Sequence, residues 1–196
     1  MPKVIAFFDF DGTITTKDSF LEMIKFHKGK AAFYLGFALL MPVLVLYKMK
    51  LIPNWKAKEI VLQYFFKNTP IAIFNDAAKQ FAETEIPKML RPAAIEKLNW
   101  HRENNHRIVI VSASATQWLI DWADALNVEL IGTKLEIKNG KVTGKLASSN
   151  CFGIEKANRI NAIINLAEYS EIYAYGDSSG DREMLALATE PFFRRF

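Results

Sequence analysis

Four short runs of apolar residues frame this chain: Val4–Phe8 (VIAFF), 108–111 (IVIV), 128–131 and 172–175 (IYAY). Runs this brief and apolar are the mark of strands buried on both faces, the one at 128–131 being weaker because Glu129 interrupts it. Helical patterns lie between them. Residues 116–126 (TQWLIDWADAL) put Leu119, Trp122, Ala123 and Leu126 on one side, and 155–166 (EKANRINAIINL) do the same with Ala157, Ile160, Ile163 and Ile164. Segment 92–100 opens with Pro92, a favoured first helical residue. Such alternation predicts an α/β fold, a Rossmann-like, doubly wound and mainly parallel sheet covered on both sides. Residues 134–146 differ: two alternating stretches around Asn139-Gly140 give a strong hairpin signal.

Residues 16–90 interrupt the alternation. They read as helical throughout, with no buried strand, and predict a helical cap inserted after the first strand. The expected division is a core of 1–15 and 91–196 with a cap of 16–90. The cap is also where charge is uneven. The whole chain carries only +4, yet residues 21–70 hold eight lysines against Glu22 and Glu59. A basic segment favours anionic partners or is a solvated face. Within it, residues 31–47 (AAFYLGFALLMPVLVLY) are uncharged, at the lower limit of length for crossing a bilayer. Pro42 should divide them into two helices. A buried helix pair, a membrane span and an apolar surface resting on lipid all remain open. One cysteine, Cys151, excludes an internal disulfide framework and fits a reducing compartment. The short apolar run after Lys3 does not read as a signal peptide, so a cytoplasmic protein is expected, with 31–47 as its route to any membrane association.

In a doubly wound sheet, ligands sit beyond the carboxyl ends of the strands. The first run here ends at Asp9 and Asp11, the second at Ser112 and Ser114, and the last at Gly176-Asp177. Acids converging on one crevice repel unless a divalent cation sits among them, and hard oxygen ligands of this kind suit Mg²⁺. Lys156, opening a helix after Gly153, would hold phosphate charge as a point cation, and Ser112 would donate to another phosphate oxygen. Acids, hydroxyl and lysine together describe a site for a phosphoryl group. Asp9 would then be a nucleophile forming a phosphoaspartate. Asp11, on the same side of an extended chain, would protonate the leaving alkoxide and later take a proton from water.

The set DFDGT (9–13), SAS (112–114), Lys156 in GIEKANRI and GDSSGD (176–181) resembles the four motifs of the haloacid-dehalogenase-like phosphatases. The insertion after the first motif and the hairpin before the lysine resemble the phosphoserine-phosphatase-like branch of subfamily I. The resemblance implies Asp9 as nucleophile and Mg²⁺ ligand, and Asp11 as acid/base lending its backbone carbonyl to the metal. It implies Asp177 as third metal ligand and Asp181 as the second acid of the last motif, orienting the metal's waters or binding directly. Gly12, Thr13, Ser112, Ala113 and Lys156 would form the phosphate site, Ala113 through its backbone N–H. Cys151, the three histidines and the four tryptophans are assigned to packing or to the surface.

Phosphoserine phosphatases read their amino acid with a carboxylate and an arginine from the cap. Asp18 is the candidate carboxylate, and also a candidate helix cap. No arginine occurs before Arg91, and lysine replaces a bidentate grip poorly. The expected substrate is therefore a small organic phosphate or a lipid phosphate monoester, the latter as in the phosphatidylglycerophosphate phosphatases of the same branch. No nucleic-acid partner is expected. A receiver-like signalling domain also groups acids, Mg²⁺, a hydroxyl and a lysine, but its phosphorylated Asp lies on a middle strand and it lacks a helical insertion.

Overall fold

The computed structural model describes residues 3–196. Strand β1 (Val4–Phe8) runs into a tight turn at Phe10–Ile14, after which the chain makes five helices. These are α1 (Ser19–Lys28), α2 (Lys30–Leu39), α3 (Met41–Lys48), α4 (Asn54–Phe66) and α5 (Ile71–Thr84). There follow α6 (Pro92–Glu103), β2 (Arg107–Ala115), α7 (Ile120–Ala125), β3 (Glu129–Thr133), β4 (Leu135–Lys138), β5 (Lys141–Leu146) and α8 (Ile154–Ile163). The chain ends with β6 (Glu171–Gly176), α9 (Arg182–Leu185) and β7 (Glu190–Phe193).

Five strands form one sheet in the order β3-β2-β1-β6-β7, with every pairing parallel. Period-two alternation explains why β1 reads as continuously apolar. Ile5 and Phe7 pack on one face with Val109, Val111, Ile160 and Met184, whereas Ala6 and Phe8 pack on the other with Ile108, Ile110 and Leu98. Each fully buried phenylalanine contributes about 2 kcal/mol by leaving water. The register of β2 against β3 shifts between Ser112 and Ala115, and such an irregularity re-aims side chains at a strand end.

The helical layer leaves and rejoins the sheet at adjacent points. Thr16 N donates to Met89 O and Arg91 N to Ile14 O, at 2.8 Å each. Its core is aromatic, with Phe33, Phe65, Phe66, Phe74 and Phe81 buried. Gly36 lets α2 approach α4, since a Cβ there would overlap the Phe65 ring. The helices α2 and α3 meet at Leu40 with a bend of 62°, and Pro42 sits in the first turn of α3 as its lack of an N–H requires. Among the described residues no single helix is long and apolar enough to cross a membrane.

Three details differ from the sequence reading. Residues 68–70, inside the expected helical stretch, run beside β5: Asn68 N donates to Val142 O and Val142 N to Thr69 O, which fastens the β4–β5 hairpin to the helices. Residues 116–126 form a short turn and the six-residue α7 rather than one helix. Ile163, assigned to the buried side of α8, is 63% exposed. The helix ends there, and Ile164, in extended conformation, turns inward instead.

Candidate active site

The carboxyl ends of β1, β2 and β6 and the start of α8 meet at a cavity of about 360 Å³, roofed by α1 to α4. Asp9 is the first residue past β1, its N–H held by Tyr175 O at 2.9 Å. Its side chain is 8% exposed. Oδ1 accepts from Lys156 Nζ at 2.5 Å and Oδ2 from Thr13 Oγ1 at 3.0 Å. The chain then turns back through Gly12, whose φ of +87° suits glycine; a Cβ there would lie 2.5 Å from Asp177 Oδ2.

Lys156 is wholly enclosed, and its three ammonium protons are all used. They go to Asp9 Oδ1, to Asp181 Oδ1 at 2.7 Å and to Val111 O at 2.8 Å. Asp181 is also held through Oδ2 by Ser178 N at 2.9 Å and Ser178 Oγ at 2.7 Å, a capping box that closes the turn after β6. Asp177 is half-buried, its Oδ1 3.4 Å from Thr13 Oγ1. One oxygen from each of Asp9, Asp177 and Asp181 falls within 4.8 Å of the others.

Electrostatics divides these acids. Burial pushes Asp9 up to about 7; Lys156 opposes this and Asp181 and Asp11 add to it. Asp177 also moves up, through burial and then Asp181. Burial pushes Asp181 the same way, but Lys156 and the Ser178 bonds outweigh it and leave the group below its ordinary value. Burial lowers Lys156 in turn, yet the two carboxylates prevail and hold it charged. One ammonium among three acids favours a further cation.

Asp11 has separate partners. Its Oδ1 accepts from Ser19 N at 2.6 Å and its Oδ2 from Ser114 Oγ at 2.5 Å. Ser19 Oγ donates to Ser114 Oγ at 3.0 Å, and Trp118 Nε1 donates to Ser19 Oγ at 3.2 Å. A buried chain of donors thus ends on the Asp11 carboxylate, which stands apart from the three-acid cluster. Ser112 is wholly buried, with its hydroxyl accepting from Ser114 N at 3.0 Å. The residues of that strand end that line the cavity are Ala113 and Ser114. Gly12 and Thr13 lie behind Asp9, toward Asp177.

Asp18 both caps α1, accepting from Leu21 N at 3.0 Å, and lines the cavity. Partial enclosure at the cavity rim, where the residue is still exposed to solvent, and then the nearby Asp11 carboxylate shift it above its ordinary value. The rest of the roof is mainly apolar, with Phe20, Phe37, Leu44 and Val61. Sequence reasoning passed over Lys58, which reaches from α4 to Ala113 O at 2.8 Å and Asn150 Oδ1 at 3.2 Å. It also passed over Ser19, Trp118 and Asn150. Cys151 is buried in the sheet core, and burial raises its thiol. His101 is buried too, bonded to His106 and to the Tyr175 hydroxyl.

Comparison with known proteins agrees with this architecture. CicA of Caulobacter vibrioides is 36% identical over 197 residues, covering all of this chain and 87% of that protein. A protein of unknown function from Bordetella pertussis Tohama I shares the fold with a TM-score of 0.81 at 22% identity, over 96% of this chain and 88% of that one. A phospho-aspartyl intermediate analogue of phosphoserine phosphatase superposes with a TM-score of 0.61 at 19% identity, over 96% and 84%. The family model for haloacid dehalogenase-like hydrolases matches residues 6–186. With nearly the whole chain covered, this protein belongs to the haloacid dehalogenase-like hydrolases.

Proposed function

We propose that the protein is a Mg²⁺-dependent phosphomonoesterase that works through a phosphoaspartate on Asp9. The observation that carries this reading is the buried Lys156 held between Asp9 and Asp181, with Asp177 completing a three-carboxylate cluster. Three hard oxygen donors beside a cavity fit Mg²⁺, which keeps its waters and binds carboxylates together with a phosphate. Asp9, Asp177 and Asp181 would hold it, with the Asp11 carbonyl as a further donor. When bound, the ion would neutralise phosphate charge and favour the ionised form of Asp9.

The chain's own residues supply the steps. An Asp9 carboxylate oxygen attacks phosphorus, and the bond from phosphorus to the ester oxygen breaks. Asp11 in its acid form gives its proton to that oxygen, so a neutral alcohol leaves. A water then attacks the phosphorus of the phosphoaspartate and gives its proton to Asp11; phosphate departs and Asp9 is regenerated. Lys156, giving up its bond to Asp9 Oδ1 as that carboxylate is phosphorylated, would turn that proton to a phosphoryl oxygen, alongside the backbone N–H groups near Ala113, with Gly12 and Thr13 shaping the turn. Ser112 serves this floor from beneath, through Ser114.

The ester's alcohol would fill the roofed cavity. Walls of Phe20, Phe37, Leu44 and Val61 favour an apolar group over the charged amino acid of phosphoserine, with Asp18 the one roof carboxylate. A lipid phosphate monoester is the second reading, favoured because two of these residues, Phe37 and Leu44, lie on the uncharged segment 31–47, for which a surface resting on lipid is one of the open sequence readings. Turnover of p-nitrophenyl phosphate with Mg²⁺, lost in Asp9→Asn, tests the chemistry. Undiminished turnover in that variant would overturn it. Comparing kcat/KM for phosphoserine, short alkyl phosphates and a lipid phosphate in mixed micelles then separates the substrate classes.

A further inference from the structure

Ten of the nineteen exposed large apolar side chains among the described residues lie between Tyr34 and Trp55. They occupy the outer side of the α2–α3 elbow, the loop after it and the first turn of α4. Leu35, Leu39, Met41 and Met49 are each more than half exposed. A patch of this kind on a water-facing helix pair marks a contact surface. We propose that the elbow seats the protein on the surface of an anionic lipid bilayer, lying in the interface rather than crossing it.

Geometry decides between lying and crossing. The two helices have ten and eight residues, so each is about 12–15 Å long, against a hydrocarbon core of about 30 Å. Their 62° bend prevents them from acting as one rod. Two short helices, each exposing an apolar side, suit the boundary between headgroups and acyl chains. Tyr34, Tyr47 and Trp55 are exposed around the patch, and such rings favour headgroup depth.

Charge selects the occupant. Lys30, Lys48, Lys50 and Lys56 are exposed around the uncharged stretch. Of the two acids of residues 21–70, Glu22 is paired with Lys25 at 2.7 Å and Glu59 offsets only Lys56, at 3.8 Å, so Lys30, Lys48 and Lys50 carry the rim's charge. A second copy docked face to face would set this lysine rim against itself. Anionic headgroups complement it, each lysine near such a surface being favourable. The docking concerns the outer face of the elbow and does not depend on the phosphatase reading or on the ester being a lipid.

The test is flotation of the full chain with vesicles of phosphatidylcholine, alone or mixed with phosphatidylglycerol. The protein should rise with the mixed vesicles, rise far less with phosphatidylcholine alone, and be released by high salt. The Leu39→Glu/Val45→Glu double variant should stay at the bottom while keeping its melting temperature and its rate on p-nitrophenyl phosphate. Lys48→Glu/Lys50→Glu should weaken partitioning by roughly tenfold or more. A parent protein that stays at the bottom with both vesicle types overturns the proposal. So does a charge-reversed variant that floats as well as the parent. A concentration-dependent dimer that Leu39→Glu dissolves, with no flotation, overturns it in favour of a second copy.

Discussion

The Ser114 hydroxyl lies 2.5 Å from Asp11 Oδ2 and is itself the acceptor for Ser19 Oγ. Because Trp118 in turn donates to Ser19, every proton in the chain points toward Asp11, and its carboxylate is fixed in direction. Ser114→Ala removes a bond to a charged acceptor, worth about 1.5–3 kcal/mol. If Asp11 protonates the leaving group, the loss depends on the substrate. An alkyl phosphate, whose alkoxide needs a proton, should slow by roughly 10–100-fold. p-Nitrophenyl phosphate, with a stable leaving anion, should slow much less. Equal losses on the two would show that Ser114 acts on something other than proton delivery.

Asp9, Asp177 and Asp181 repel one another with Lys156 as their shared counter-charge. Mg²⁺ should therefore stabilise the folded state by mass action. At one hundred times its dissociation constant this amounts to about 2.7 kcal/mol, a rise in Tm of roughly 5–10 °C for a chain of this size. Asp177→Asn should abolish the rise. Without Mg²⁺ that variant should melt no lower than the parent, because it relieves a carboxyl that burial and Asp181 disfavour. Thermal melts with Mg²⁺ or with a chelator read both effects.

The parts legible in the sequence are those whose cause is local. β1, β2 and β6 are buried on both faces, so their composition alone announces them. The motif acids stand at strand ends, where chain order reveals them. β7 was invisible: it is an edge strand of four residues containing Pro191, a residue compatible with an edge because nothing there requires its missing N–H. Ile163 misled because helical phase was carried one residue past the helix end. The hydroxyl chain on Asp11 joins residues about a hundred positions apart, and no spacing rule reaches across that distance. Lys58 was counted only as part of a basic stretch, since its role depends on where α4 lies over β2.

His101 gives a stability switch away from the cavity. Burial lowers it from 6.5 to about 3, with help from His106 and Lys97. A folded-state value below the unfolded one means that the unfolded chain takes up the proton first. Stability from this group is therefore full above about 6.5 and is lost as pH falls toward about 3. His101→Gln should cost stability at neutral pH, since Tyr175 and His106 lose their partner. That cost should shrink steadily on acidification. Urea midpoints of both proteins across this window provide the check, and a cost that stays constant with pH would refute the assignment.

Lys58 ties the helical layer to the sheet. Its ammonium donates to Ala113 O and Asn150 Oδ1, and Asn150 Nδ2 donates onward to Asn54 Oδ1 at 2.7 Å, one turn before Lys58 on α4. Burial lowers its affinity for a proton, while Asp11 and Asp18 oppose that fall. Removing the amine in Lys58→Met leaves the Ala113 carbonyl without this donor and loosens the roof over the cavity. kcat/KM should drop by roughly tenfold, as expected for a lost bond from a charged group. Asn150→Ala cuts the same tie from the other side. The two losses should therefore combine to less than their product, with a coupling of about 0.5–3 kcal/mol. A double variant whose loss equals the product of the two single losses would show that Lys58 and Asn150 act independently, with α4 held down by its apolar contacts alone.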